Sequence, residues 1–298
     1  NDGTDSDSNT ITAAGNLLVT TSESLEGTDS DADILVNASV ISSAGHLSIA
    51  SADQLTLGGA GDLIVQEDGD TIDLRAGGAI SMEDGTTVTT NDGDIRIESG
   101  ADIEVSAVNA GTMGISLLTS NGSVLDLAGD TEDEDLIADG LLIQVTGSVG
   151  TGLDPIEINA TTLTAEIGAA TGLFLTETDS IAIGHVSTSV HPVGTDGLDP
   201  LSTEDSTASD LIATGDGSLI LAAVGAINVT DGGDSDSIGI DAAGAGNILL
   251  QTTVGGITIE STAAVQADSG HISLLSGAGV VQQSGGNLFT TGGTIDVE

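Results

Sequence analysis

Gly45-His46-Leu47-Ser48-Ile49-Ala50-Ser51-Ala52-Asp53-Gln54-Leu55-Thr56-Leu57 opens the most regular part of the chain. Apolar residues repeat two positions apart, at Leu47 and Ile49 and again at Leu55 and Leu57. The pattern continues at Leu63/Val65, Ile72/Leu74, Ile80/Met82, Val88, Ile95/Ile97 and Ile103/Val105. Polar residues such as Ser48, Thr56, Asp73, Ser81, Arg96 and Glu104 stand between them. Alternation with period two makes each run a short strand with one buried face. Gly, Ala, Ser and Asp fill the gaps and supply turn chemistry.

The runs recur about every eight residues, so three of them make a unit of about 24. Leu47, Ile72 and Ile95 begin successive units, and the same rhythm closes the chain at Ile248, Ile257, Val265, Ile272, Val280, Leu288 and Ile295. A fixed period of this length marks a solenoid. The reading is all-β: a parallel β-helix with three short strands per coil and about 11 coils, roughly 50 Å long at the strand spacing of a parallel sheet. The competing architecture is a two-sheet sandwich with tight hairpins at Asp2-Gly3, Asn121-Gly122 and Asp216-Gly217.

The chain has 298 residues, with 47 Asp plus Glu against two cationic side chains, Arg75 and Arg96, and a net charge of -45. Nucleic acid and anionic membrane surfaces are excluded as partners, because both need Lys and Arg. Cations, cationic partners or a saline setting fit this charge. There is no cysteine, hence no disulfide or thiolate metal site. Phe174 and Phe289 are the only aromatics, which argues against aromatic-walled ligand clefts. No apolar run is long enough for a membrane-spanning helix. Asn1 is not followed by a basic, apolar leader, so the chain reads as a processed product or a piece of something longer.

Residues 1–298 read as one solenoid unit, with an excursion loop at about 185–216 that contains Pro192 and Pro200. Acidic inserts decorate the shaft. Asp2-Gly3-Thr4-Asp5-Ser6-Asp7-Ser8, Glu26-Gly27-Thr28-Asp29-Ser30-Asp31-Ala32 and Asp231-Gly232-Gly233-Asp234-Ser235-Asp236-Ser237 are one motif used three times. Each precedes a strand, so all three are expected at the same corner, lining one edge. Gly152-Leu153-Asp154-Pro155 recurs as Gly197-Leu198-Asp199-Pro200.

The stretches 45–57, Gly93-Asp94-Ile95-Arg96-Ile97-Glu98-Ser99-Gly100-Ala101-Asp102-Ile103-Glu104-Val105 and Gly270-His271-Ile272-Ser273-Leu274-Leu275-Ser276-Gly277-Ala278-Gly279-Val280-Val281 resemble the repeats of filamentous-haemagglutinin-type surface proteins. The resemblance covers about two thirds of the chain. It implies a right-handed parallel β-helix, secreted and displayed on a bacterial surface as an adhesin shaft or fibre.

The candidate chemistry lies in carboxylates. Asp29-x-Asp31-x-Asp33 and Asp5-x-Asp7-x-Asn9 place oxygen ligands at alternate positions, the opening spacing of a calcium loop, although the later Gly and Glu of that loop do not follow. Asp234-x-Asp236 is a shorter version. The candidate metal ligands are therefore Asp5, Asp7, Asp29, Asp31, Asp33, Asp234 and Asp236, with calcium as the ion. The bland reading is a solvated acidic edge. Paired carboxylates for polysaccharide cleavage carry little weight, because with this many acids pairs occur by accident. His46 and His271 occupy the same repeat position and read as turn side chains. No nucleophile elbow is present, so no catalytic triad is assigned. Sequons stand at Asn37, Asn121, Asn159 and Asn228.

The sequence thus predicts a non-enzymatic structural segment of an extracellular fibre, sheath or adhesin stalk. Further copies or more of the same chain would stack end to end on it. The alternatives are a polysaccharide-degrading β-helix and a calcium-dependent surface-binding module. Aligning Ile72 with Ile95 also predicts two outward ion pairs between coils, Asp73 with Arg96 and Arg75 with Glu98, each worth about 0–1 kcal/mol if exposed.

Overall fold

The computed structural model describes residues 10–22, 32–127, 134–168, 171–198, 201–205 and 209–298. Their regular structure is all β, with no helix, and so none long and apolar enough to cross a membrane. Short strands stack into long parallel ladders, an arrangement compatible with a parallel β-helix or solenoid.

Three ladders carry the first half. One aligns Leu17, Leu47, Ile72, Ile95, Ile115, Leu141 and Leu163. A second aligns Ile34, Leu55, Ile80, Ile103 and Val124, and passes through Val149 to Leu173. The third aligns Ile11, Val40, Leu63, Val88, Val108, Leu136 and Ile158. The chain visits them in turn: Leu47–Ser51, Leu55–Leu57 and Leu63–Asp68, then back to the first at Ile72–Ala76. Within this stretch, consecutive strands therefore do not pair with one another, as a hairpin sandwich requires. Among the described residues one pairing is antiparallel, Thr188–Val190 with Thr203–Asp205.

The parallel register follows from the side chains. Leu47, Ile72 and Ile95 lie directly over one another, as do Ile49, Leu74 and Ile97, and all six are fully buried. Like-shaped aliphatic residues in register pack against one another on the buried face. Each such side chain contributes about 1.5–3 kcal/mol by leaving water. A single aliphatic cluster runs from Ile34 to Leu274. Glycines stack at one turn, where Gly246, Gly270 and Gly293 follow one another. A Cβ on Gly270 would collide with the Gly246 carbonyl oxygen, and one on Gly293 with that of Gly270.

Leu136–Val145 and Ile156–Ile167 are long enough to serve two ladders each. They fuse most strands into a single 25-stranded sheet, while Ile34–Val36, Leu55–Leu57, Ile80–Met82, Ile103–Val105 and Val124–Asp126 stay a separate five-stranded one. Beyond them the ladders continue from Gly172–Glu177 through Ser218–Ala223, Ile248–Thr252 and Ile272–Ser276 to Ile295–Val297. Parallel pairing resumes after the excursion at Leu211–Ala213, against Ala165–Ile167.

The first two acidic inserts, 2–8 and 26–31, lie outside the described residues, but the strands that follow the three inserts do not share a ladder. The strand after the first insert, Ile11–Ala13, lies in the third ladder, and Ile34–Val36, after the second, lies in the second. Ile240–Ala242, after the third insert, pairs with Leu211–Ala213 and so extends the first ladder. Coil lengths vary along the chain, so hydrogen-bond register decides where a segment lands, whatever its sequence similarity.

Candidate functional site

The outward row of the first ladder is not solvated. Ser48, Asp73, Arg96, Ser116, Leu142 and Thr164 stand in register on successive strands, and all are buried. The excursion covers them. From Val186 onward it runs across the strands, from the later coils back toward the earlier ones. A Cβ on Gly140 would meet Val186, and one on Gly114 would meet Thr188, so bare glycine lets the segment settle closely there. Ser189 N–H donates to Asp94 Oδ2 at 2.6 Å, His191 N–H to Thr71 Oγ1 at 2.9 Å and Val193 N–H to Ser48 Oγ at 2.8 Å. The His191 ring stacks on His46 with centroids 4.7 Å apart. Asn16 Nδ2 donates to Gly197 O at 3.2 Å. Val186, Val190 and Val193 are buried beneath this strap.

The strap covers the expected pair of Asp73 and Arg96. Asp73 does face Arg96 across the ladder, with Arg96 Nη1 3.3 Å from Asp73 Oδ1, but both are buried. Asp205, on the returning limb of the strap, supplies a third member: Arg96 Nε donates to its Oδ2 at 3.0 Å. Ser116 Oγ donates to the same oxygen at 2.9 Å. Arg75 and Glu98 are register partners, yet each turns along its own strand. Arg75 Nε lies 3.0 Å from Asp73 Oδ2 and Glu98 Oε2 lies 2.8 Å from Arg96 Nη1.

Burial raises the Asp73 carboxyl above its ordinary range, and Arg75 and Arg96 pull it back. Burial opposes the Arg96 charge, but Asp205, Glu98 and Asp73 outweigh it and hold the guanidinium pKa above its usual value. Burial also raises Asp94, against the amides of Ser189 and Gly114 that hydrogen-bond to it.

Several carboxylates near the turns serve the backbone of the next coil. Asp62 Oδ1 accepts from Thr87 N–H and hydroxyl, both at 3.1 Å, and Asp92 Oδ1 likewise from Thr112. Asp102 accepts from Ser123 N–H, and Asp216 from Ala245 N–H. Asp33, expected as a metal ligand, belongs to this set: its Oδ1 accepts from Gln54 N–H at 3.0 Å. His46 and His271 do the same work with nitrogen. Nδ1 of each accepts the N–H of a Thr one coil on, Thr71 or Thr294, at 3.0 Å. Repeat-position polar side chains thus close coil-to-coil junctions.

Of the remaining expected ligands, Asp5, Asp7, Asp29 and Asp31 lie outside the described residues. Asp234 and Asp236 join a residue the spacing argument missed, Asp210: one oxygen of each lies within 4.8 Å of the others. Asp210 is buried and the other two are exposed. Burial, with Asp234, Asp236 and Asp231 adding repulsion, pushes the Asp210 carboxyl up to about 7. Asp126, Asp135 and Glu157 form a second such group, again across coils. Both are groups of oxygen donors that can hold a metal ion. Neither is legible as a linear motif, because the members are brought together by coil stacking. The usable signal was the alignment of Leu211 with Ile240, which lays the insert 231–237 against Ser209 and Asp210.

A groove of about 430 Å³ is lined by Thr119, Gln144, Val145, Thr146, Glu166, Ile167, Gly168 and Thr214. It brings a single carboxylate to a mostly neutral surface. Comparison with family models, with curated proteins and with solved structures gives no match for this chain.

Proposed function

We propose that the chain is a structural segment of an extracellular fibre, sheath or adhesin stalk: a right-handed, three-faced parallel β-helix of about 24 residues per coil and about 11 coils. The observation that carries this reading is the unbroken in-register stacking of aliphatic residues through ladder after ladder. Nearly all of the sequence is committed to axial continuity. The resemblance of 45–57, 93–105 and 270–281 to filamentous-haemagglutinin-type repeats supports the same reading, and surface display is its natural setting.

End-to-end assembly, with another copy or with more of the same chain, is part of the same proposal. Ile295–Val297 pairs on one side with Ile272–Leu274, and Phe289, Ile295 and Val297 are about half exposed. A strand edge with apolar neighbours is a template for further pairing. Calcium at the acidic groups would offset part of a net charge of -45. The polysaccharide-cleaving alternative calls for a groove with clustered carboxylates beside Arg or aromatic residues.

Electron microscopy and sedimentation of the purified chain test this. Filaments, or mass that rises with concentration, are the expected result. Single rods that stay monomeric at high concentration would overturn end-to-end assembly.

A further inference from the structure

We infer that Asp210, Asp234 and Asp236 form a binding site for one hard divalent cation of calcium's size, which ties the insert 231–237 to the coil before it. The site deepens the cation part of the proposed function and is independent of whether rods assemble.

Two separate observations carry it. The first is the convergence of three carboxylate oxygens within 4.8 Å of one another. Oxygens bound to one calcium at about 2.4 Å lie at most about 4.8 Å apart, so this convergence is the spacing that a shared ion requires. The second is the state of Asp210 Oδ1. It is buried, and among the described residues it has no hydrogen-bond partner. A buried polar oxygen left unmatched is costly, and a bound cation is one way to satisfy it.

The surroundings prepare the other carboxylates for the same role. Ser209 Oγ donates to Asp234 Oδ2 at 2.7 Å and to Asp210 Oδ2 at 3.3 Å, and so orients both. Asp234 Oδ1 accepts from Asp236 N–H at 3.2 Å, and Asp236 Oδ1 from Ile238 N–H at 2.7 Å. Asp210 itself is anchored to the ladder, because its carbonyl accepts from Ala165 N–H at 2.9 Å and Thr164 Oγ1 at 3.0 Å. One ligand is thus fixed to the shaft and two belong to an exposed insert. An ion between them would act as a clasp. Asp231 lies outside the cluster, with Oδ1 engaged by Ser237 N–H at 2.6 Å.

The test is equilibrium dialysis of the full chain against radioactive calcium in concentrated sodium chloride, which screens diffuse attraction to the acidic surface. Asp210→Asn and the double variant Asp234→Asn/Asp236→Asn are compared with Asp84→Asn, which removes an exposed carboxylate elsewhere. The expected result is one fewer bound calcium per chain, or at least tenfold weaker binding, for the first two variants and no change for the third. Calcium should also raise the melting temperature of the unaltered chain and of Asp84→Asn, and raise it less in the other two. Equal stoichiometry and affinity in all four proteins overturns the site. If Asp210→Asn fails to fold, the double variant decides, since both of its positions are exposed. Filament formation is scored separately: loss of the clasp with filaments retained, or the reverse, tells failure of the site from failure of the fibre reading.

Discussion

Arg96 reaches Asp73 on the neighbouring strand and Asp205 on the strap, at 3.3 and 3.0 Å, so one guanidinium joins two coils and the segment that crosses them. Asp73 has no exposed surface, so its charge depends on these partners. Removing one partner of a buried pair leaves an uncompensated charge and costs about 3–5 kcal/mol. Arg96→Met should lose stability on that scale in denaturant unfolding. Arg96→Met/Asp73→Asn should recover part of the loss, and added salt should change neither result much, because the pair is shielded from solvent ions.

Val190 is 1 % exposed and sits at the middle of the strap. Val190→Asp places a charge against a buried row and should release the strap while the ladders persist. Hydrogen exchange checks this residue by residue. The amides of Ser189, His191 and Val193, which donate to Asp94, Thr71 and Ser48, should lose protection, while that of Ile97 keeps it. Thermolysin, which needs no basic residue, should then cut near the exposed Leu198 and Leu201.

Gly270→Ala should cost about 1–3 kcal/mol, the usual penalty for forcing extra volume into a packed position. Here the obstruction is the Gly246 carbonyl oxygen, part of the backbone, so no side-chain rotation relieves it. Chemical denaturation compared with the unaltered chain gives the number.

Glu177 is fully buried and burial lifts its carboxyl from 4.5 to about 7, against the amides of Asp179 and Ala160. A raised acid pKa means that the folded state holds a proton that the unfolded state has released. The stability tied to it is complete below about pH 4.5 and disappears as pH rises through about 7. The shift corresponds to about 3 kcal/mol across that window. The stability difference between the unaltered chain and Glu177→Gln should therefore shrink by this order from pH 4.5 to 7. A pH-independent difference would mean that Glu177 titrates normally.

Strand positions and register were legible in the sequence for a physical reason. A two-residue alternation fixes which face is buried, and repetition of the same alternation fixes what lies above it. Ile72 over Ile95, and with it Asp73 beside Arg96, could be read from spacing alone. The strap could not. It is made of amides donating to Ser48, Thr71 and Asp94 from about a hundred residues away or more, and backbone donors leave no trace in residue identity. The amide partner of Asp33 was hidden for a related cause: only the position of Gln54 one coil on shows that its Oδ1 accepts an N–H. Asp210 was missed because its companions are neighbours in space across one coil, separated in sequence by the whole of that coil.

The strap also sets an order of events during synthesis. A solenoid is suited to growing behind the ribosome, since each coil needs only the previous one as a template. Coils holding Ser48, Asp73 and Arg96 are complete long before Val190 and Asp205 have been translated. Until then a row destined for a dry interface faces water, with Asp205 missing from Arg96. Early coils must therefore wait, in an open form, for a later part of the chain to return and close over them. That wait gives a neighbour-by-neighbour architecture one long-range step, a closure that reaches from Gly140 to Asn16.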